Sequence, residues 1–241
     1  LARLMGARGQ VDEAVAEFTR AANIHINNEG AQSSQVGDVL WYAGNMFVDA
    51  ERYEDAIEVY QQAVEIYKAA YGNEHSEVGE TLGRLADAYR AKMESKKAIE
   101  TFRQAIAIQS KHYDADDDVI LNLRWEMGRA YIDAEDAEAT IAIFHELLAL
   151  YEEWNGPDDV DVATLSMNLG MGMRLAGRFE EAEKHLKRAR AIYEASDDAD
   201  VEDLCGAISE LATVYDIQGK YAEAKRLHTE VLERTRAEYG P

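Results

Sequence analysis

The sequence predicts an all-α array of antiparallel helix pairs, six in number with the first one truncated. Three observations predict it. A pattern of small and large side chains recurs every 42 residues through the 241-residue chain. Between polar connections the apolar residues fall at the helical period of about 3.6, and no stretch alternates with the period of two that a strand requires. Only two prolines occur in the whole chain, which leaves long segments free to be helical.

The second helix of each pair is the clearest. Ala14, Ala56, Ala98, Thr140, Ala182 and Ala224 form one column, and four residues on come Phe18, Tyr60, Phe102, Phe144, Leu186 and His228. Three residues further stand Ala21, Ala63, Ala105, Leu147, Ala189 and Val231. Offsets of four and three place these columns on one helical face, where small side chains admit a neighbouring helix and a large one fills the gap beside it.

The first helix of each pair carries its own small column twelve residues earlier: Ala2, Gly44, Ala86, Gly128, Gly170 and Ala212. Phe47, Tyr89, Tyr131, Met173 and Tyr215 follow three residues later, and Ala43, Leu85, Met127, Leu169 and Leu211 come just before. The turn between the two helices places Gly9, Gly177 and Gly219 in one column, where a left-handed backbone costs least, and Glu51, Met93 and Glu135 fill that column elsewhere. The connections between pairs are rich in Gly, Asn, Asp and Ser, as helix stops and N-caps should be.

Small, large and aromatic residues at these offsets resemble the tetratricopeptide repeat, whose usual unit is about 34 residues. Here each unit is eight residues longer, and the "YGN" before "EHSEVGETLGRLADAYRAKMESKKAIETFRQAIAI" resembles the 42-residue repeats of kinesin light chains. The resemblance covers the whole chain as a single array, with repeats at about 1–36 (partial), 37–78, 79–120, 121–162, 163–204 and 205–241. It implies a right-handed superhelix whose first helices line a concave groove, commonly holding an extended or helical peptide of another protein.

Composition narrows the partners. With 47 acidic against 25 basic side chains the formal charge is −22. That disfavours nucleic acid and anionic membranes, and it favours basic partners weakly. Cys205 is the only cysteine, which excludes an intramolecular disulfide and suits a reducing, cytoplasmic setting. No apolar run approaches the roughly 18 to 20 residues of a membrane helix. Residues 1–8 read as the second half of a helix, so a preceding segment is expected.

The groove-facing positions expected on the first helices are Trp41, Asn45, Asp49, Arg84, Asp87, Arg90, Trp125, Arg129, Asp133, Met167, Met171, Arg174, Thr213 and Asp216. Trp41 and Trp125 occupy equivalent positions two repeats apart and read either as interface anchors or as packing between repeats. Arg84, Arg90, Arg129 and Arg174 form either a cradle for a peptide carboxylate or ion pairs with Asp87, Glu126 and Asp133 on the same surface. Chaperone-binding members of the family hold a Lys, an Asn and an Arg at set positions. Asn45 fits one of these, but Trp41 and Arg84 stand where the Lys and another Asn are needed. Met167, Met171 and Met173 offer soft, adaptable side chains, although Met173 belongs to a packing column.

Catalytic readings fail residue by residue. None of His25, His75, His112, His145, His185 and His228 has a second histidine four residues away, and Ala149 stands where "HELLA" would need one. "GMGMRLAG" follows no strand and spaces its glycines wrongly for a dinucleotide loop. The acidic connections lack the glycine and terminal glutamate of a calcium loop. Cys205 has no identifiable base beside it. The expected function is therefore a non-enzymatic, cofactor-free scaffold that binds a partner's peptide segment. The alternative is a structural or regulatory module of a larger protein, holding an effector domain or self-associating through its exposed ends.

Overall fold

The structure, a computed structural model, describes residues 33–240 together with 15–18, 20, 21, 24, 25 and 30. Ala2, Gly9, Ala14 and the expected helical stretch at residues 1–8 lie outside the described residues. Over residues 33–240 ten helices follow one another: α1 (Ser34–Asp49), α2 (Tyr53–Tyr71), α3 (Ser76–Ala91), α4 (Ser95–Gln109), α5 (Asp118–Asp133), α6 (Ala137–Asn155), α7 (Val160–Leu175), α8 (Phe179–Ala195), α9 (Val201–Ile217) and α10 (Tyr221–Tyr239). No strand occurs among the described residues. The first helices of the repeats begin at Ser34, Ser76, Asp118, Val160 and Val201, three or four residues ahead of the boundaries drawn on the sequence.

The chain forms two compact units, one ending at Asp133 and the other beginning at Ala134. In the first, α1 packs on α2 and α3 on α4, while α2 meets α3 and α4 meets α5. In the second, α7 packs on α8 and α9 on α10, while α6 meets α7 and α8 meets α9. First helices also touch the next first helix, α1 to α3, α3 to α5 and α7 to α9, whereas α2 and α4, or α8 and α10, do not meet among the described residues. Within each unit the first helices are thus the crowded side.

The small columns explain the close pairing. Ala56, Ala98, Thr140, Ala182 and Ala224 are fully buried, as are Ala86 and Ala212 on the facing helices. At Gly44 a Cβ would lie 2.4 Å from the ring of Tyr60, which is itself 1% exposed. At Gly170 it would lie 2.8 Å from Leu186. The large column is buried at Tyr60, Phe102, Phe144 and Leu186, but His228 at the same register of α10 is exposed.

Helix pairs turn through one repeated device. The residue three past the helix end donates back to the aromatic column, Arg52 to Phe47 O, Glu94 to Tyr89 O, Arg178 to Met173 O and Lys220 to Tyr215 O. The residue before it adopts a left-handed conformation, which closes a Schellman motif. Gly177 and Gly219 do so at φ 73° and 76°, and Glu51, Met93 and Glu135 do so at 57°, 65° and 56°. The column read as left-handed from three glycines is left-handed at the non-glycine residues too.

Tyrosines tie one pair to the next. Gln61 donates to the Tyr89 hydroxyl at 2.8 Å, Arg103 donates to that of Tyr131 at 2.9 Å, and the Tyr215 hydroxyl donates to Glu183 at 3.1 Å. The connections supply side-chain caps at Asp117, Asp159 and Asp200, as their composition suggested, and at His75, whose Nδ1 accepts from Glu77 N at 3.3 Å.

Two predictions follow from these contacts. Met93 is 78% exposed, so Met93→Gly sacrifices little packing and relieves the left-handed strain. It should raise the unfolding free energy by roughly 0.5–1 kcal/mol in urea titrations, whereas Gly177→Met should lower it. Gly44→Ala should cost about 1–3 kcal/mol by the same titration, because the Tyr60 ring has nowhere to retreat.

Candidate peptide-binding face

Each unit presents the exposed side of its first helices, and the chemistry of the two faces differs. In the first unit, α1 contributes Trp41, Asn45 and Asp49, α3 contributes Arg84, Asp87 and Arg90, and α5 contributes Trp125, Arg129 and Asp133. Trp41 is half-buried, with Tyr42 edge-on to it at 5.1 Å and the Arg84 guanidinium 6.0 Å from its ring centre. This stacking joins α1 to α3. Trp125 is likewise half-buried on α5.

Asn45 has a packing role that its position did not suggest, because its Oδ1 accepts the buried Tyr60 hydroxyl at 2.6 Å. The charges of Arg84, Asp87 and Asp49 all act on that hydroxyl, and burial drives its pKa upward. Four of the expected residues are thus gathered about one phenol.

Most of the arginines are engaged. Arg90 reaches from α3 to α5, meeting Glu126 at 3.2 Å and Asp133 at 3.6 Å, and Arg129 meets Glu126 at 3.2 Å. In the second unit Arg174 meets Glu210 at 2.9 Å. Pairing on the surface accounts for these three. Arg84 is exposed, lies over the Trp41 ring and makes no ion pair among the described residues, although its charge acts on Asp87 and Glu80. Asp87 takes part in none of these pairs. Burial, aided by Glu126, lifts its pKa to about 6 against the opposing pull of Arg84, Arg90 and Arg129.

The face of the second unit is softer. Met167 and Met171 are half-buried on α7, while Met173 is buried in the packing column as expected. On α9, Thr213 donates its hydroxyl to Ser209 O at 3.0 Å, and Asp216 lies 3.1 Å from His228. Cys205 is buried at the start of α9. Among the described residues no three His, Cys, Asp or Glu side chains gather as metal ligands do, and no helix is long and apolar enough to cross a membrane.

Glu210, Tyr42 and Glu126 contribute to these faces without having been singled out as groove positions. A signal for them exists in the sequence, since Tyr42, Arg84, Glu126, Asn168 and Glu210 share one register of the 42-residue period. Arg84 is the only member of that register in the expected set. Its variety from repeat to repeat marks a position that packing leaves open in most repeats, although Asn168 is buried.

The raised pKa of Asp87 carries a sign. The folded chain holds this proton more tightly than the unfolded chain, so the penalty is complete above about pH 6 and vanishes below the ordinary value of 3.8. Asp87→Asn should therefore stabilise the protein at pH 7.5, by on the order of 1 kcal/mol once solvent screening is allowed for, and should make no difference at pH 3.5. Unfolding midpoints of the two proteins across this range check it.

Family models place this architecture. Models of the tetratricopeptide repeat match residues 1–69, 35–111, 119–195 and 204–241. A crystal structure of a putative kinesin light chain from Podosopora anserina, with nearly identical TPR-like repeats, matches with a TM-score of 0.71 at 22% identity, over 83% of this chain and 94% of that one. The structure of BtubC (BKLC) from P. vanneervenii matches with a TM-score of 0.73 at 16% identity, over 97% and 92%. A Rap protein complexed with competence and sporulation factor matches with a TM-score of 0.69 at 17% identity, over 96% of this chain and 59% of that one. No curated protein matches the chain. With repeat models spanning nearly all of its length, the chain belongs to the tetratricopeptide repeat family.

Proposed function

We propose that this chain is a protein-interaction scaffold that holds a peptide segment of a partner protein against the exposed side of its first helices. The observation that carries the reading is Trp41, a large ring left half-buried beside Tyr42 and Arg84 at a register that other repeats fill with Gly83 or Ser209. The helix pairs close without a tryptophan there. Trp125 repeats it two units on, and aromatic rings with neighbouring arginines are the side chains that most often anchor interfaces. The fold neighbour solved with a bound factor adds support of the weaker kind that comes from likeness of fold.

Catalysis has no part in this reading. A second reading, self-association through an end of the array, draws on α10, where Tyr221, Leu232 and Tyr239 are 71%, 49% and 63% exposed. Exposed apolar side chains at the end of a repeat array are where another repeat or another molecule stacks.

The experiment is a pull-down from source-cell lysate with the 241-residue chain beside the double variant Trp41→Ala, Trp125→Ala, whose helicity is checked by circular dichroism. Loss of a partner only in the double variant is the expected result, with affinity at least about tenfold weaker. Equal retention would remove the tryptophans from the site. Light scattering of Leu232→Glu against the parent then tests the second reading, which requires the parent to be an oligomer and the variant a monomer.

A further inference from the structure

We propose that Asp87, at the middle of the first unit's face, is the receptor for a cationic side chain, lysine or arginine, of the bound segment; this rests on the peptide-binding reading above. The charges of the face are unevenly settled. Arg90 and Arg129 are committed to Glu126 and Asp133. Asp87, one turn along α3 from Arg84, has neither an ion pair nor a hydrogen-bond donor among the described residues, and Arg84 lies over the ring of Trp41 instead of closing on it. A half-buried carboxylate without a donor is costly, and a ligand ammonium or guanidinium is the group that removes the cost.

The rest of the face agrees in sign. Asp49 and Asp87 make no ion pair among the described residues, Arg84 makes none either, and the chain as a whole carries a formal charge of −22. An acidic segment would meet that field for the sake of one arginine. A basic one is drawn in by the field and finds at Asp87 a carboxylate whose neighbours Arg90 and Arg129 are already paired. Arg84 and Trp41 then border the bound cation, the ring offering its face to an apolar neighbour in the segment.

Protonation makes the site readable. Asp87 is faced by Arg84 and Arg90 from its own helix, by Glu126 and Arg129 from α5, and by the Tyr60 hydroxyl from α2. Burial, aided by Glu126, lifts Asp87 to about 6, so a cation that binds it must lose affinity as the pH falls through that value.

The test displays random peptides of about nine residues on phage and selects them on the 241-residue chain at pH 7.5. Parallel selections use Asp87→Asn, Asp49→Asn and the Trp41→Ala, Trp125→Ala double variant. The expected result is enrichment of Lys or Arg at one position for the parent and for Asp49→Asn, and loss of that preference for Asp87→Asn. An enriched peptide free of Asp, Glu and His should bind the parent about tenfold more weakly at pH 5 than at pH 7.5, and Asp87→Asn equally at both. Asp87→Asn should unfold no earlier than the parent, so loss of the preference there is not loss of fold. Peptides enriched without a basic position, enriched in acidic residues, or keeping their basic preference on Asp87→Asn would overturn the assignment and leave peptide binding standing. Failure to enrich any peptide on the parent would overturn both.

Discussion

The structure depends on how near two helices of a pair can come. A Cβ at Gly44 would lie 2.4 Å from the Tyr60 ring, and the facing columns at Ala56, Ala98 and Ala182 are fully buried. Once backbones approach this closely, the large side chain beside each contact has one place to lie, and the aromatic column three residues on is brought to the end of its helix. There its carbonyl accepts the turn's hydrogen bond, as Phe47 O accepts from Arg52. Close packing therefore also sets where each helix ends and reverses. The side of the first helix away from these columns is left free to vary, and it is the side that carries Trp41, Arg84 and Asp87.

Charge on that side is organised by repeat rather than by chain. Salt bridges run from one first helix to the next, Arg90 to Glu126 and Arg174 to Glu210, and stitch neighbouring pairs at a level the apolar columns do not reach. Each such bond is half-buried, and each removes an arginine from the stock available to a ligand. A strongly acidic chain is thereby left with arginines that are mostly occupied and several carboxylates that are not. The face of the second unit, with half-buried Met167 and Met171, is set apart by its soft, polarizable side chains instead.

The fold was legible because its causes repeat. A single copy with Thr140 or Leu147 in an alanine column would have meant little, but five further copies supply the register, and buried Phe144 confirms it. Left-handed geometry at Met93 was readable for the same reason, from the glycines that share its column. The face was less legible, since a position on the open side is defined by what it does not touch. Asn45 reads from the sequence as a groove-facing position, and its bond to Tyr60 depends on a rotamer no pattern specifies. Arg90 and Arg129 could be read as a cradle or as ion pairs, and only the spacing between α3 and α5 decides. His228 broke its column because α10 leaves exposed the face on which the register relies elsewhere.

The tyrosine links between pairs have a consequence for how such an array changes over generations. A phenol hydroxyl both donates and accepts, so it accepts a hydrogen bond from Gln61 or Arg103 in one junction and donates one to Glu183 in another. A junction built on that group stays satisfied whether the residue opposite is an amide, a cation or an anion. Exchange of a 42-residue unit that carries tyrosine at this register thus keeps a partner for the polar group opposite, whereas a unit with Met173 there offers none. Recombination can lengthen or reorder the array most freely where that tyrosine is present.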